Sequence, residues 1–194
     1  MKIFINPGHS VAQGEDPGTC HFGLREADIA LAIGQLVADY LTSAGCQVKV
    51  FQFDGLGEIC DASNYWNSDL FVSIHCNSAD NPTACGTETF CVYGAGAGKR
   101  LAQCVQSQIV NNLPVIDRGV QERGFAVLTG TTCPAILVET AFLSNKVDAE
   151  LLRTRQDDFA RAIARGVTDY LVAVQPKPDV VDAQRCPTCG QLKP

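Results

Sequence analysis

The sequence predicts a single α/β domain: a mostly parallel or mixed twisted sheet of about six strands with helices on both faces. Three observations carry that prediction. Short apolar segments alternate with longer segments of helical period for most of the chain. Two of the short segments, 70–74 and 135–140, are almost wholly apolar, as strands covered on both faces are. The 194 residues, 46% hydrophobic and 19% charged, suffice for one sizeable core and show neither the composition of a disordered chain nor that of a membrane protein.

Residues 3–6 (IFIN) read as a buried strand that turns at Pro7-Gly8 and presents His9 just beyond its end. Glu26 opens an amphipathic helix, because Ile29, Ile33, Leu36, Val37, Tyr40 and Leu41 recur at spacings of three and four and Gly45 follows as a stop. Residues 48–53 alternate in the manner of a strand until Gly55 and Gly57 break the pattern, and 58–66 form a short helix. The strand 70–74 leads into His75, and 87–93 is a further strand rich in β-branched and aromatic residues.

Gly94, Gly96 and Gly98 then open a helix running through Leu101, Val105, Ile109 and Val110. This GAGAG run has neither the GxGxxG spacing nor the lysine of a phosphate loop, so it reads as a turn into a helix. After the break at Leu113-Pro114, 125–128 and 135–140 read as two more strands. Phe159, Ile163, Val167, Tyr170 and Leu171 mark a closing helix. The domain is placed at 1–174, followed by a Pro-containing linker and a CxxC tail over 175–194. Cys186 and Cys189 supply two of the four ligands a structural metal site needs, so the tail reads as a metal half-site that self-associates with a second chain, as a redox pair, or as an element without defined role.

Composition removes several classes of function. A formal charge of −6, a pI near 5.0 and the lack of any lysine or arginine run argue against nucleic acid as a partner. No apolar run approaches the roughly 20 residues of a transmembrane helix. The first residues enter a strand directly, so no secretory signal is legible; the expectation is synthesis in the cytoplasm, or a signal lying outside this sequence. Ten cysteines invite a disulfide framework, but Cys46, Cys76, Cys91 and Cys104 sit inside apolar runs, where free cysteine behaves as a small hydrophobe.

Four residues fall at ends of predicted elements on one type of edge: His9, Glu26, His75 and Glu139. Ligands of open α/β sheets gather at the carboxyl ends of strands. Two imidazoles and one carboxylate form a three-ligand set for catalytic zinc, with the fourth position left for water or substrate. Plainer roles are available: a histidine beside a glycine turn serves as a cap or core residue, and Glu26 in a first helical turn complements the helix dipole. Glu139 resists a plain reading, since a carboxylate inside the apolar stretch 135–143 is costly to bury unless it is paired, hydrogen-bonded or bound to metal. The third histidine, His21, has no strand behind it and reads as a loop residue.

The motifs NPGHS, DPG (16–18), Gly23-x-x-Glu26, FVSIHCN (71–77), GTETF (86–90), DRG (117–119) and ILVETAFLSN (136–145) resemble, in order, those of the zinc-dependent N-acetylmuramoyl-L-alanine amidases of the Amidase_3 family. The resemblance covers about residues 2–172. It implies Zn2+ held by His9, Glu26 and His75, a catalytic Glu139, and peptidoglycan or muropeptide as substrate. The implied reaction is hydrolysis of the amide between the lactyl group of N-acetylmuramic acid and the L-alanine of the stem peptide. Such an enzyme acts at the bacterial cell wall, as an endolysin or a wall-remodelling hydrolase. The sequence departs from the family pattern in having no arginine within 51–69, Ala27 where lysine is common and Thr129 where arginine is common. Other readings are a different zinc amidohydrolase or peptidase on the same scaffold, and a non-catalytic wall-binding or regulatory module.

Overall fold

The computed structural model describes residues 1–175. In chain order its elements are β1 (Lys2–Pro7), a small hairpin of β2 (Cys20–His21) and β3 (Leu24–Arg25), α1 (Glu26–Ser43), β4 (Gln47–Val50), α2 (Leu56–Tyr65) and β5 (Leu70–Asn77). They continue with β6 (Thr87–Cys91), α3 (Gly96–Asn112), β7 (Asp117–Glu122), α4 (Ala126–Thr129), β8 (Ala135–Phe142), α5 (Lys146–Thr154) and α6 (Gln156–Val174). The sheet runs β4-β1-β5-β8-β6-β7. β1 is parallel to β4 and β5, β5 to β8 and β6 to β7, while β6 and β8 are antiparallel. The sheet is therefore mixed and mainly parallel, as predicted.

The period-two alternation of strand side chains divides the interior into two layers. Ile3, Ile5, Leu70, Val72, Ile74, Ile136 and Val138 point to one face, where they pack with the apolar stripes of α1, α3 and α6. Phe4, Phe71, Phe90 and Leu137 point to the other, against Ile59 and Cys60 of α2 and Val127 and Leu128 of α4. Phe4 and Phe71 stack there at 5.7 Å. The first layer depends on close helix contact at Gly166, where a Cβ would lie 2.4 Å from Val105 Cα. Burial of the central strands on both faces accounts for their unbroken apolar runs.

Two elements differ from the sequence expectation. Residues 125–128 form not a strand but the short helix α4, with extended Phe125 (φ −63, ψ 139) before it. A run of four apolar residues carries no period that separates strand from helix, and here one helical turn buries Val127 and Leu128. The sixth strand is instead β7, a polar edge strand reading DRGVQE with only partial burial. Its polarity suits a sheet edge and hides it from a hydropathy reading.

Helix α5 was also unanticipated. Asn145 caps it, its side chain accepting from Val147 N and Asp148 N. Asp148 is buried and accepts from Gly86 N (2.7 Å) and Phe142 N (2.9 Å), tying the start of β6 to the end of β8. All eight cysteines among the described residues are free. Cys186 and Cys189, the basis of the self-association reading, lie outside the described residues, and no other observation supports that reading. No helix among the described residues is long and apolar enough to cross a membrane.

Candidate metal centre

β1, β5 and β8 lie side by side, so residues near their carboxyl ends meet. His75 of β5 and Glu139 of β8 are direct register partners and share the face that carries α2 and α4. His9 stands two residues past β1 in a left-handed conformation (φ 58) that non-glycine residues seldom adopt. The turn holding it is pinned by Gly8 N donating to Ile74 O (2.8 Å) and Gln52 Nε2 donating to Gly8 O (3.2 Å). Glu26, first residue of α1, is buried and reaches between the two rings.

His9, Glu26 and His75 each offer a ligand atom within 4.8 Å of the others. His9 Nε2 lies 3.2 Å from Glu26 Oε2 and His75 Nδ1 lies 3.0 Å from Glu26 Oε1. Each oxygen also accepts a backbone N–H, from Thr19 (3.0 Å) and Cys76 (3.0 Å). The carboxylate is thus fixed before any ligand arrives. The two imidazole rings meet edge to face at 5.2 Å.

The cradle requires two glycines. A Cβ on Gly8 would fall 2.2 Å from the His75 ring, and one on Gly18 (φ 67) would fall 2.5 Å from Glu26 Oε2 and 2.6 Å from the His9 ring. These are the glycines of the NPGHS and DPG motifs. Two imidazoles and a carboxylate, converging from three elements on one point, fit a divalent cation of the zinc type.

Electrostatics distinguish the two glutamates. Burial opposes the ionisation of Glu26, but hydrogen bonds to His75 and His9 and their attraction outweigh it, holding the carboxyl well below its ordinary range. His9 is raised to about 9, chiefly by its hydrogen bond to Glu26, against burial and with help from Asp16. Glu139 moves upward, to about 7, because burial disfavours its charge. Glu26 and Glu88 push it further up, while His75 and His9 pull it down. Its Oε2 is buried and has no hydrogen-bond donor among the described residues.

Glu139 lies on the floor of a cleft of about 440 Å³, beside His9 and His75. Phe53, Leu56 and Ile59 form one wall and Phe125, Ala126 and Val127 the other. A cluster that fits a cation, an adjacent carboxyl raised to about 7 by burial and apolar walls are the features that metal-assisted hydrolysis would use.

The structure brings His9, Glu26 and His75 together and puts Glu139 next to His75. His75 lies inside β5, two residues before its end at Asn77, rather than just after the strand, and Glu139 lies inside β8, as expected, three residues before its end at Phe142. His21 stays apart from the cluster, with Nε2 3.4 Å from Ser78 Oγ. The sequence reading assigns no role to Asp16 or Asp54, yet both line the cleft. Asp16 Oδ2 lies 3.0 Å from His9 Nδ1, and Asp54 Oδ2 accepts from Asp16 N (2.8 Å). The DPG motif was the one available pointer to Asp16.

Comparison with known proteins places this geometry. Residues 3–169 match the family model described as N-acetylmuramoyl-L-alanine amidase. The chain is 38% identical over 176 residues to the uncharacterised protein YqiI of Bacillus subtilis (strain 168), covering 87% of this chain and 84% of that one. It is 35% identical to the N-acetylmuramoyl-L-alanine amidase LytC of the same organism, covering 87% of this chain but 35% of LytC. Among solved structures, the N-acetylmuramoyl-L-alanine amidase of Clostridium difficile 630 superposes with a TM-score of 0.83 at 34% identity, over 90% of this chain and 98% of that one.

Proposed function

The chain belongs to the Amidase_3 family of N-acetylmuramoyl-L-alanine amidases, and from that premise we propose that it is a zinc-dependent peptidoglycan hydrolase working through His9, Glu26, His75 and Glu139. The bond cleaved is the amide between the lactyl group of N-acetylmuramic acid and the L-alanine of the stem peptide. The setting is the bacterial cell wall.

His9, Glu26 and His75 hold the metal. Zinc, when bound, supplies a Lewis acid for the scissile carbonyl and lowers the pKa of water. Glu26 contributes negative charge fixed by the Thr19 and Cys76 amides, so the ligand set needs little reorganisation. Glu139 takes the proton of the attacking water as the C–O bond forms. It then delivers that proton to the leaving nitrogen as the C–N bond breaks, giving a carboxylic acid and a free amine. Burial raises the Glu139 carboxyl in the metal-free protein, and a divalent cation held beside it would pull it back towards the ionised base that the first half of the transfer needs. The apolar walls lower the polarity beside the reacting centre.

The observation that carries this reading is Glu139 Oε2: a buried carboxylate oxygen without a donor among the described residues, on the register partner of His75. Replacing the carboxylate therefore separates catalysis from metal binding. Glu139→Ala is expected to bind stoichiometric zinc and to lose roughly 10²–10⁴-fold or more in turnover of purified peptidoglycan. His75→Ala is expected to lose both zinc and turnover. A Glu139→Ala protein with wild-type turnover contradicts the assignment, and a wild-type protein that binds no zinc contradicts the metal site.

A further inference from the structure

His9 is the proposed ligand with the least conventional backbone, and of the two histidines it is the one with both ring nitrogens facing carboxylates among the described residues. Asp16 Oδ2 sits 3.0 Å from His9 Nδ1, on the side of the ring opposite the nitrogen facing Glu26. An ionised carboxylate only accepts hydrogen bonds, so this contact keeps a proton on Nδ1, and Nε2, on the Glu26 side, is the nitrogen that would give its lone pair to a bound cation in place of a proton. The loop between the two residues closes on itself. Ser10 N donates to Asp16 O (3.0 Å), Ala12 N to Ser10 Oγ (3.2 Å) and Gly18 N to Asp16 Oδ1 (2.9 Å).

Asp54, from the segment between β4 and α2, reaches across 38 residues of sequence to accept from Asp16 N (2.8 Å) with Oδ2. Its Oδ1 is buried with no donor among the described residues. Such a group lowers stability, so its placement is accounted for by what it holds in position.

We propose that Asp16 is a positioning residue for the metal centre, holding the His9 ring with Nε2 turned to the zinc, and that Asp54 acts through it by fixing the loop. The inference rests on the reading that His9, Glu26 and His75 bind zinc. Outer partners of this kind are typically worth about 10–100-fold in metal affinity.

The test measures zinc dissociation constants by chelator competition, with the visible spectrum of the cobalt-substituted protein as a second readout. The proteins are the full chain and its Asp16→Ala, Asp54→Ala and double variants. Asp16→Ala is expected to weaken zinc binding about 10–100-fold and to alter the cobalt spectrum, while thermal unfolding of the metal-free protein shifts little. Asp54→Ala is expected to weaken zinc less, and to weaken it no further in the Asp16→Ala background. Zinc affinity of Asp16→Ala within twofold of wild type, with an unchanged cobalt spectrum, overturns the proposal. Additive effects of the two substitutions overturn the part assigned to Asp54. Asp16→Asn retains an acceptor oxygen and is expected to recover part of the affinity lost in Asp16→Ala; equal loss in both overturns the hydrogen-bonding role. Should wild type bind no zinc, it is the functional reading that fails, and that result is distinct from all of these.

Discussion

Glu139 and Glu26 show how position alone sets the behaviour of one residue type. Glu26 is held by two backbone amides and two imidazoles and stays ionised. Glu139 has a buried oxygen without a donor and a pKa raised to about 7, against an ordinary value of 4.5. Between those two values the folded metal-free protein binds more protons at this site than the unfolded chain does. Stability therefore falls as pH rises from 4.5 to about 7, and the cost is fully present above that range. Glu139→Gln removes the charge and keeps the shape. Its metal-free form is expected to be more stable than wild type by about 1–3 kcal/mol at pH 8, a difference that disappears near pH 4. Denaturant unfolding at the two pH values checks this; equal stabilities at pH 8 would show that the buried carboxylate costs nothing.

At the scale of elements, legibility followed hydropathy. Strands 3–6, 70–74 and 135–140 and the helices at α1 and α6 were legible because burial leaves a periodic or continuous apolar signature. β7 and α5 leave little such signature: one is a polar edge strand, the other depends on its Asn145 cap and on Asp148. The four proposed site residues stood out in the sequence because three follow or interrupt apolar strands and the fourth opens α1. Asp16 and Asp54 were not, because their roles arise only when a loop folds back on His9 and a segment 38 residues away closes over it. Gly166 is another case, silent in sequence and decisive in packing. Its substitution by alanine drives a Cβ into the backbone of Val105, which cannot yield as a flexible side chain would. Gly166→Ala is expected to cost about 1–3 kcal/mol by forcing α3 and α6 apart, read by thermal or denaturant unfolding. An unchanged stability would mean that the two helices are not rigidly seated.

For the whole molecule, the two apolar layers carry the fold and the proposed metal centre sits at one end of the sheet they enclose. None of the proposed ligands belongs to either apolar layer, so chelation is expected to abolish activity while the protein stays folded. The apolar walls around Glu139 come from α2 and α4, the helices of the second layer, and from Phe53 and Phe125 just before them. That layer therefore does two jobs, covering the sheet and shaping the cleft. The fold is shared with the amidase of Clostridium difficile 630, whereas LytC is much longer than the region matched here. The central claim is the reaction at the lactyl amide, and the products test it most directly. Purified peptidoglycan digested by the zinc-loaded protein, with and without chelator, is to be analysed by mass spectrometry for the released ends. The account predicts free L-alanine amino termini together with intact lactyl-bearing glycan, formed only with metal. New reducing sugar ends, cleavage within the stem peptide, or equal release in the presence of chelator would contradict it.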